Sequence, residues 1–146
     1  MLQVVAVPPE AVGQVWSMAE PFLLRATEES YGTITIDWVK NKCLSGTGNL
    51  FFIRDIEANE IVATILCHIY RQPGGRRDIE IILASGDRLD EWCDDFLAYM
   101  EVVAQDNNCE GILLTGRRGW QRKLKHNGYM VLQTTMWKSV ARGKPS

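Results

Sequence analysis

The chain has 146 residues, which is long enough to enclose a hydrophobic core and favours one domain spanning residues 1–146. Its formal net charge of −2 argues against wholesale binding to nucleic acid or acidic membranes. No apolar run approaches the roughly 20 residues that span a bilayer. Residues 1–7 lack the basic flank and the length of a signal peptide and read as a strand.

The cysteines are widely spaced and contain no C-x-x-C pair. They are Cys43, Cys67, Cys93 and Cys109. Cys93 falls on an apolar helix face and Cys67 in a strand-like run, so we expect buried free thiols in a reducing, cytoplasmic compartment. A zinc site would need closer ligands, and only His68 and His126 could help. We therefore expect no metal.

The first third of the chain predicts a strand at 2–7 and two helices. The first helix covers 10–29, where Pro21 predicts a kink or two separate pieces. The second begins near Thr35 and stops at Gly46. Runs of β-branched and aromatic residues then predict strands at 49–55, 61–70 and 78–84, joined as an antiparallel meander.

A strand–helix–strand unit follows. The strand at 78–84 leads through Ser85 and Gly86 into a long helix with one apolar face, and Gly111–Thr115 is a second buried strand. This is the βαβ arrangement, which is right-handed in nearly all proteins. Ligands often bind where its first strand meets the helix, because unpaired N–H groups gather there.

The last third predicts a basic helix at 117–127, ended by Gly128, and a final strand at 129–138. The whole order predicts one α/β domain, with a mixed, mostly antiparallel sheet flanked by about four helices. That order resembles the GNAT superfamily of acyl-CoA N-acyltransferases. The segment Gly119–Tyr129 is similar to the family's last helix. The Gly-Arg-Arg-Gly-Trp stretch at 116–120, which opens the basic helix, resembles small GNAT-like proteins of bacteriophages and prophages.

The resemblance implies acetyl-CoA as cofactor, lying against the strand at 78–84 with its pyrophosphate at the start of the next helix. The cofactor-binding residues it implies are Ile82, Leu83, Ala84, Gly86, Arg88, Arg117 and Arg118. The junction departs from the family signature, since it has one glycine and several carboxylates. Asp87 is a good N-cap, so we expect a helix capped by its own carboxylate.

Glu80 matches the position of a catalytic glutamate in some family members and is the candidate general base. Burial among isoleucines would raise its pKa, as that role requires. The alternative is a solvated Glu80 paired with Arg76 or Arg77, and His68 is a weaker candidate base. The family's general-acid tyrosine falls near Leu124, which has no proton to give.

The basic helix carries Arg117, Arg118, Arg122, Lys123 and Lys125. It predicts either an anion site or a solvated face paired with the acidic helix that follows Gly86. Trp120 could stack on a base but more simply anchors this helix in the core.

Three hypotheses follow. The first is an N-acyltransferase that moves an acetyl group to a small-molecule or protein amine. The second is a non-catalytic GNAT-shaped structural or assembly protein that associates with itself or with proteins of a phage particle. The third is a nucleic-acid accessory module that uses the basic helix. The expected location is the bacterial host cytoplasm or a phage particle, with no membrane.

Overall fold

The computed structural model describes residues 1–116 and 120–140. The strands are β1 (Leu2–Val7), β2 (Asn49–Asp55), β3 (Glu60–Arg71), β4 (Arg77–Gly86) and β5 (Gly111–Leu114), and the helices are α1 (Val12–Glu28), α2 (Ile36–Leu44), α3 (Leu89–Asp106) and α4 (Gln121–His126). In the described part of the chain the strands form one sheet in the order β1-β2-β3-β4-β5. Neighbours from β1 to β4 are antiparallel, and β4 and β5 are parallel. The predicted mixed, mostly antiparallel sheet is confirmed.

The sheet is covered on both faces, because alternate side chains of each strand enter different cores. On β2, Leu50 and Phe52 pack with α1 and α2. Phe51 and Ile53 pack with α3 on the opposite face. Burying side chains of this size stabilises the fold by about 1.5–3 kcal/mol each. The continuous apolar run of β2 is therefore that of a strand buried on both faces.

A single helix, α1, contains Pro21, so two separate helical pieces are not observed. Ala19 and Leu23 flank the proline and are completely buried. Their packing holds both sides of Pro21 in the core and outweighs the cost of an internal proline, about 3 kcal/mol. The start of α2 is as predicted, since the Trp38 backbone N–H donates to Thr35 Oγ1 over 3.2 Å.

The predicted final strand at 129–138 is wrong for the described structure. Gly128 has a φ of +87° and ends α4, and no ladder pairs the residues that follow with the sheet. Met130 to Val140 are exposed. Strand propensity is present in this stretch, but a strand also needs a hydrogen-bonded neighbour, and β5 has none on its outer side in the described structure.

The cysteine prediction is confirmed for Cys43, Cys67 and Cys93, which are buried free thiols, whereas Cys109 is only partly buried. Burial raises the pKa of Cys43 to about 11, which makes this thiol unreactive near neutral pH. Within residues 1–116 and 120–140, no helix is both long and apolar enough to cross a membrane.

Candidate functional site

The edge of β4 that faces β5 is open over its last residues. The parallel pairing of β4 with β5 covers only Asp78 to Ile81, whereas β4 continues to Gly86. From Ile82 onward, none of the described strands occupies that side of β4. Unpaired backbone groups on such an edge can bind an extended ligand as an additional strand would.

A β-bulge lies at the start of this open edge. Leu66 is opposite Leu83 and Cys67 is opposite Ile81, so Ile82 has no partner on β3. The unshifted register would set Ile81 opposite His68. The bulge instead brings Glu80 opposite His68. One inserted residue thus determines which side chain meets the histidine.

Glu80, His68 and Thr115 form a hydrogen-bonded cluster beside the bulge. His68 Nε2 lies 2.6 Å from Glu80 Oε1, and Thr115 Oγ1 donates to Glu80 Oε2 over 3.2 Å. The side chains of His68 and Glu80 are 15% and 22% exposed. Because Ile79 and Ile81 enter the core beneath α3, alternation directs Glu80 to the sheet face that carries α1 and α2.

The electrostatics of Glu80 differ from the prediction. The hydrogen bond from His68 is the largest influence, and it holds the pKa of Glu80 below the ordinary carboxyl value despite partial burial. Thr115 and, more weakly, Lys42 of α2 act in the same direction. The expectation that burial raises the pKa of Glu80 is wrong. Hydrogen bonding to the ionised carboxylate lowers this pKa by more than desolvation raises it. Glu80 is a carboxylate at neutral pH.

The alternative partners predicted for Glu80 are engaged elsewhere. Arg76 Nε donates to both carboxylate oxygens of the buried Asp78, at 3.0 and 2.8 Å. Arg77 Nε donates to the Asn107 carbonyl over 3.1 Å. Sequence reasoning named His68 only as a rival base and missed Thr115. Their contact depends on the register of β3, β4 and β5, which no local pattern contains.

The predicted carboxylate cap on α3 is wrong. Arg88 is the N-cap residue, with a φ of +61°, and no side chain caps the helix. The Asp87 backbone N–H donates to the Val62 carbonyl over 2.8 Å, and the Asp87 carbonyl accepts a bond from Trp92 Nε1 over 2.8 Å. The Asp87 backbone thus ties the junction to β3 and α3, and the first N–H groups of α3 are not taken by a carboxylate.

Arg88 is held by two carboxylates. Its Nε and Nη2 donate to Glu91 at 2.8 and 3.0 Å, and its Nη1 donates to Asp55 Oδ2 at 2.7 Å. Through these bonds Arg88 lowers the pKa of both Asp55 and Glu91. The guanidinium that was predicted to contact phosphate is therefore already engaged in this structure, at the junction where that phosphate would bind.

Gly86 is required by a close approach of β4 to β3. A Cβ at this position would lie 2.4 Å from the Cα and Cβ of Ala63 and from the Val62 carbonyl. Its φ is +156°. The described structure therefore gives Gly86 a packing role that applies with or without a ligand.

The basic helix is partly joined to the acidic α3. Arg117 and Arg118 lie outside the described residues. Lys123 forms an ion pair with Asp90, which raises the pKa of Lys123, and Asn127 Nδ2 donates to Asp94 over 3.0 Å. These contacts agree with the alternative in which this helix pairs with acidic α3. The ring of Trp120 lies 6.4 Å from that of Trp92 and packs against the α3 core, as its anchoring role predicts.

A separate groove of about 450 Å³ lies at the other end of the sheet, between β1, β2 and α1. Its lining is mainly apolar and includes Val5, Val7, Val15, Phe52 and Ile61. It contains none of the predicted site residues. Among the residues that the structure describes, no three His, Cys, Asp or Glu side chains form a metal-binding group.

No protein-family model and no curated protein matches this sequence. Solved structures do match its fold. A predicted acetyltransferase from Clostridium acetobutylicum, crystallised with acetyl-CoA, is 14% identical with a TM-score of 0.64, covering 97% of this chain and 96% of that one. This chain has the GNAT fold.

Two enzymes with this GNAT fold are similar over their whole lengths. Ribosomal-protein-alanine N-acetyltransferase from Brucella melitensis is 11% identical with a TM-score of 0.63, covering 98% of this chain and all of that one (100%). Glucosamine-6-phosphate N-acetyltransferase from Arabidopsis thaliana is 9% identical with a TM-score of 0.62, covering 97% and 99% of the two chains. At these identities the likeness concerns the fold.

At the junction, the exposed backbone groups suit an acyl-CoA, but the charges of the surrounding side chains do not. The open β4 edge and the uncapped start of α3 suit a pantetheine chain and a phosphate group. Asp55, Asp87, Asp90 and Glu91 surround that start, and only Arg88 and Lys123 balance them in the described structure. Among the described residues, the junction therefore carries a net negative charge, which opposes the binding of phosphate.

Proposed function

We propose that residues 1–146 form a GNAT-type N-acyltransferase that moves an acetyl group from acetyl-CoA to an amine. The observation that carries the proposal is the adjacency of two features on β4. The open backbone edge beginning at Ile82 adjoins the Glu80–His68–Thr115 cluster. A ligand on that edge and a group that accepts a proton are the two requirements of acyl transfer to an amine.

The backbone of Ile82, Leu83 and Ala84 would hold the pantetheine arm. Gly86 would keep the junction close to β3, and Arg88 would contact the pyrophosphate after leaving one of its carboxylate partners. Arg117 and Arg118 remain predicted phosphate contacts. When bound, acetyl-CoA supplies an acetyl thioester to this site.

The Glu80–His68 pair is the proposed proton acceptor. An acceptor amine must lose a proton before its nitrogen attacks a carbonyl carbon, and this pair couples a carboxylate to an imidazole through a 2.6 Å contact. Glu80 fixes the orientation of the His68 ring, and Thr115 fixes the second carboxylate oxygen.

The general-acid position has no proton donor. Leu124 lies where the family resemblance implies a tyrosine, and it packs against the core beneath α3. We infer that water protonates the departing thiolate. We expect a slow enzyme for this reason, because a positioned acid contributes typically about 10²–10⁴-fold to rate.

The non-catalytic assembly protein is the second candidate. Two observations favour it: the engagement of Arg88 by Asp55 and Glu91, and the hydrophobic Leu124 at the acid position. Association with a phage particle is the specific form of this candidate and derives from the sequence resemblance alone.

Mass spectrometry of acetylated products tests the two candidates. The full chain is incubated with acetyl-CoA and pools of amino acids, amino sugars, polyamines and peptides. We expect acetylation of at least one amine class, reduced at least about 100-fold by Glu80→Gln. Glu28→Gln, which changes an exposed carboxylate at the end of α1, is the matched control. If no acetylated product forms and acetyl-CoA does not bind, the enzymatic proposal is overturned and the non-catalytic assembly protein is favoured.

A further inference from the structure

The outer edge of β5 is unpaired in the described structure, although its sequence is typical of an interior strand. Ile112, Leu113 and Leu114 are consecutive apolar residues, so they place hydrophobic side chains on both faces of the sheet. All three are only partly buried. Proteins usually cover such an edge, because free backbone groups beside apolar side chains invite pairing with another strand.

The same chain carries a strand-forming segment that pairs with none of the described strands. We call Met130–Lys138 the C-terminal segment. Its β-branched and aromatic content predicts a strand, yet its apolar side chains face solvent, with Met130 77% exposed, Met136 88% and Trp137 76%. Its single charge, Lys138, leaves little to oppose close association.

We propose that the C-terminal segment of one copy pairs with the outer edge of β5 in a second copy. Each chain then supplies one acceptor edge and one donor segment, so two copies related by a twofold axis satisfy both and form a closed dimer. This reciprocal exchange removes both unpaired elements at once. The exchange involves neither Glu80 nor the open edge of β4 that begins at Ile82. It therefore stands independently of the enzymatic proposal.

The connection before the segment favours a second copy over the same chain. The Tyr129 backbone N–H donates to the Leu124 carbonyl over 2.9 Å, and the Tyr129 ring packs against the core beneath α3. This fixes the point at which the chain leaves α4. Beyond it, every residue from Met130 to Lys138 is exposed, and in the described structure this segment does not join the sheet beside β5.

Light scattering during size-exclusion chromatography, combined with hydrogen exchange read by mass spectrometry, tests the exchange in the full chain. We expect a dimer in which amides of Met130–Lys138 and Gly111–Leu114 are protected, with protection that falls on dilution to monomer. A monomer, whether its segment is protected or not, would overturn the proposal. A dimer with an unprotected C-terminal segment would overturn it equally, because the interface would then lie elsewhere.

Matched substitutions make the test specific. Val131 and Val102 are 54% and 55% exposed, so glutamate at either position should leave the single chain folded. Successive strand residues face opposite sides, so Val131→Glu and Leu132→Glu probe both faces of the added strand. We expect at least one of them to weaken the dimer about tenfold or more, whereas Val102→Glu on α3 leaves it unchanged. Equal dimer dissociation constants for all three variants would contradict the proposed pairing of the C-terminal segment with β5.

Discussion

Glu80 on β4 lies directly opposite His68 on β3, and their side chains meet at 2.6 Å because a bulge at Ile82 shifts the register by one residue. The same bulge marks the point where β4 separates from β5. One backbone irregularity thus creates both the paired side chains and the open edge beside them. Bulges commonly redirect side chains next to active sites in this way.

Lowering the pH should remove the stabilisation that the ionised Glu80 provides. His68 and Thr115 hold its pKa below the ordinary carboxyl value of about 4.3, so this stabilisation is complete above that value and is lost as pH falls through the lower folded-state pKa. Urea unfolding should give wild type a larger free energy of unfolding than Glu80→Gln at about pH 7 and a smaller difference at about pH 3. Glu28→Gln, which removes an exposed carboxylate at the end of α1, is the matched control. If the difference in unfolding free energy between wild type and Glu80→Gln stays constant over this pH range, the pKa of Glu80 is not lowered in the folded protein.

Gly86→Ala should destabilise the protein even without a ligand. The added methyl would lie 2.4 Å from Ala63 and from the Val62 carbonyl, so β3 and β4 must separate at the junction. Overpacking of this kind costs about 1–3 kcal/mol of unfolding free energy. Gly74→Ala is the control, because nothing lies within 4 Å of its Cβ position. Equal unfolding free energies for the two variants in chemical denaturation would refute the close approach of β4 to β3 at Gly86.

Glu91→Gln should strengthen the binding of CoA. The substitution removes a negative charge from the first turn of α3 and releases two donors of Arg88. A charge at a helix terminus contributes about 0.3–1 kcal/mol, which corresponds to a Kd lower by a factor of about 1.7 to 5. Asp95→Asn removes an exposed carboxylate further along α3 and should have a smaller effect. Calorimetry in which Glu91→Gln binds CoA no better than Asp95→Asn would argue against Arg88 as a phosphate contact.

Much of the fold could be predicted because its signals are local. The bounds of β2 were predicted correctly, since its apolar run ends at turn residues on both sides. Thr35 was recognised as the start of α2, because a cap acts within one helical turn. The helix through Pro21 was predicted less well. Its continuity depends on packing of Ala19 and Leu23 in the core, which the local pattern does not include.

The site was harder to predict, because its contacts join residues that are distant in sequence. Glu80 was identified through a family resemblance, but its low pKa comes from His68 and Thr115, whose positions depend on the bulge and on parallel pairing. Asp87 has the composition of an N-cap. Its backbone bond to Val62 and the left-handed Arg88 move the helix start by one residue and take the carboxylate out of that role.

Titration of the ¹⁵N-labelled protein with acetyl-CoA, followed by amide chemical shifts, tests the central claim most directly. We predict that shifts concentrate at Ile82–Gly86 and at Leu89–Glu91, where the open β4 edge meets the uncapped start of α3. Absence of shifts at millimolar acetyl-CoA, or shifts confined to the groove between β1 and α1, would contradict it.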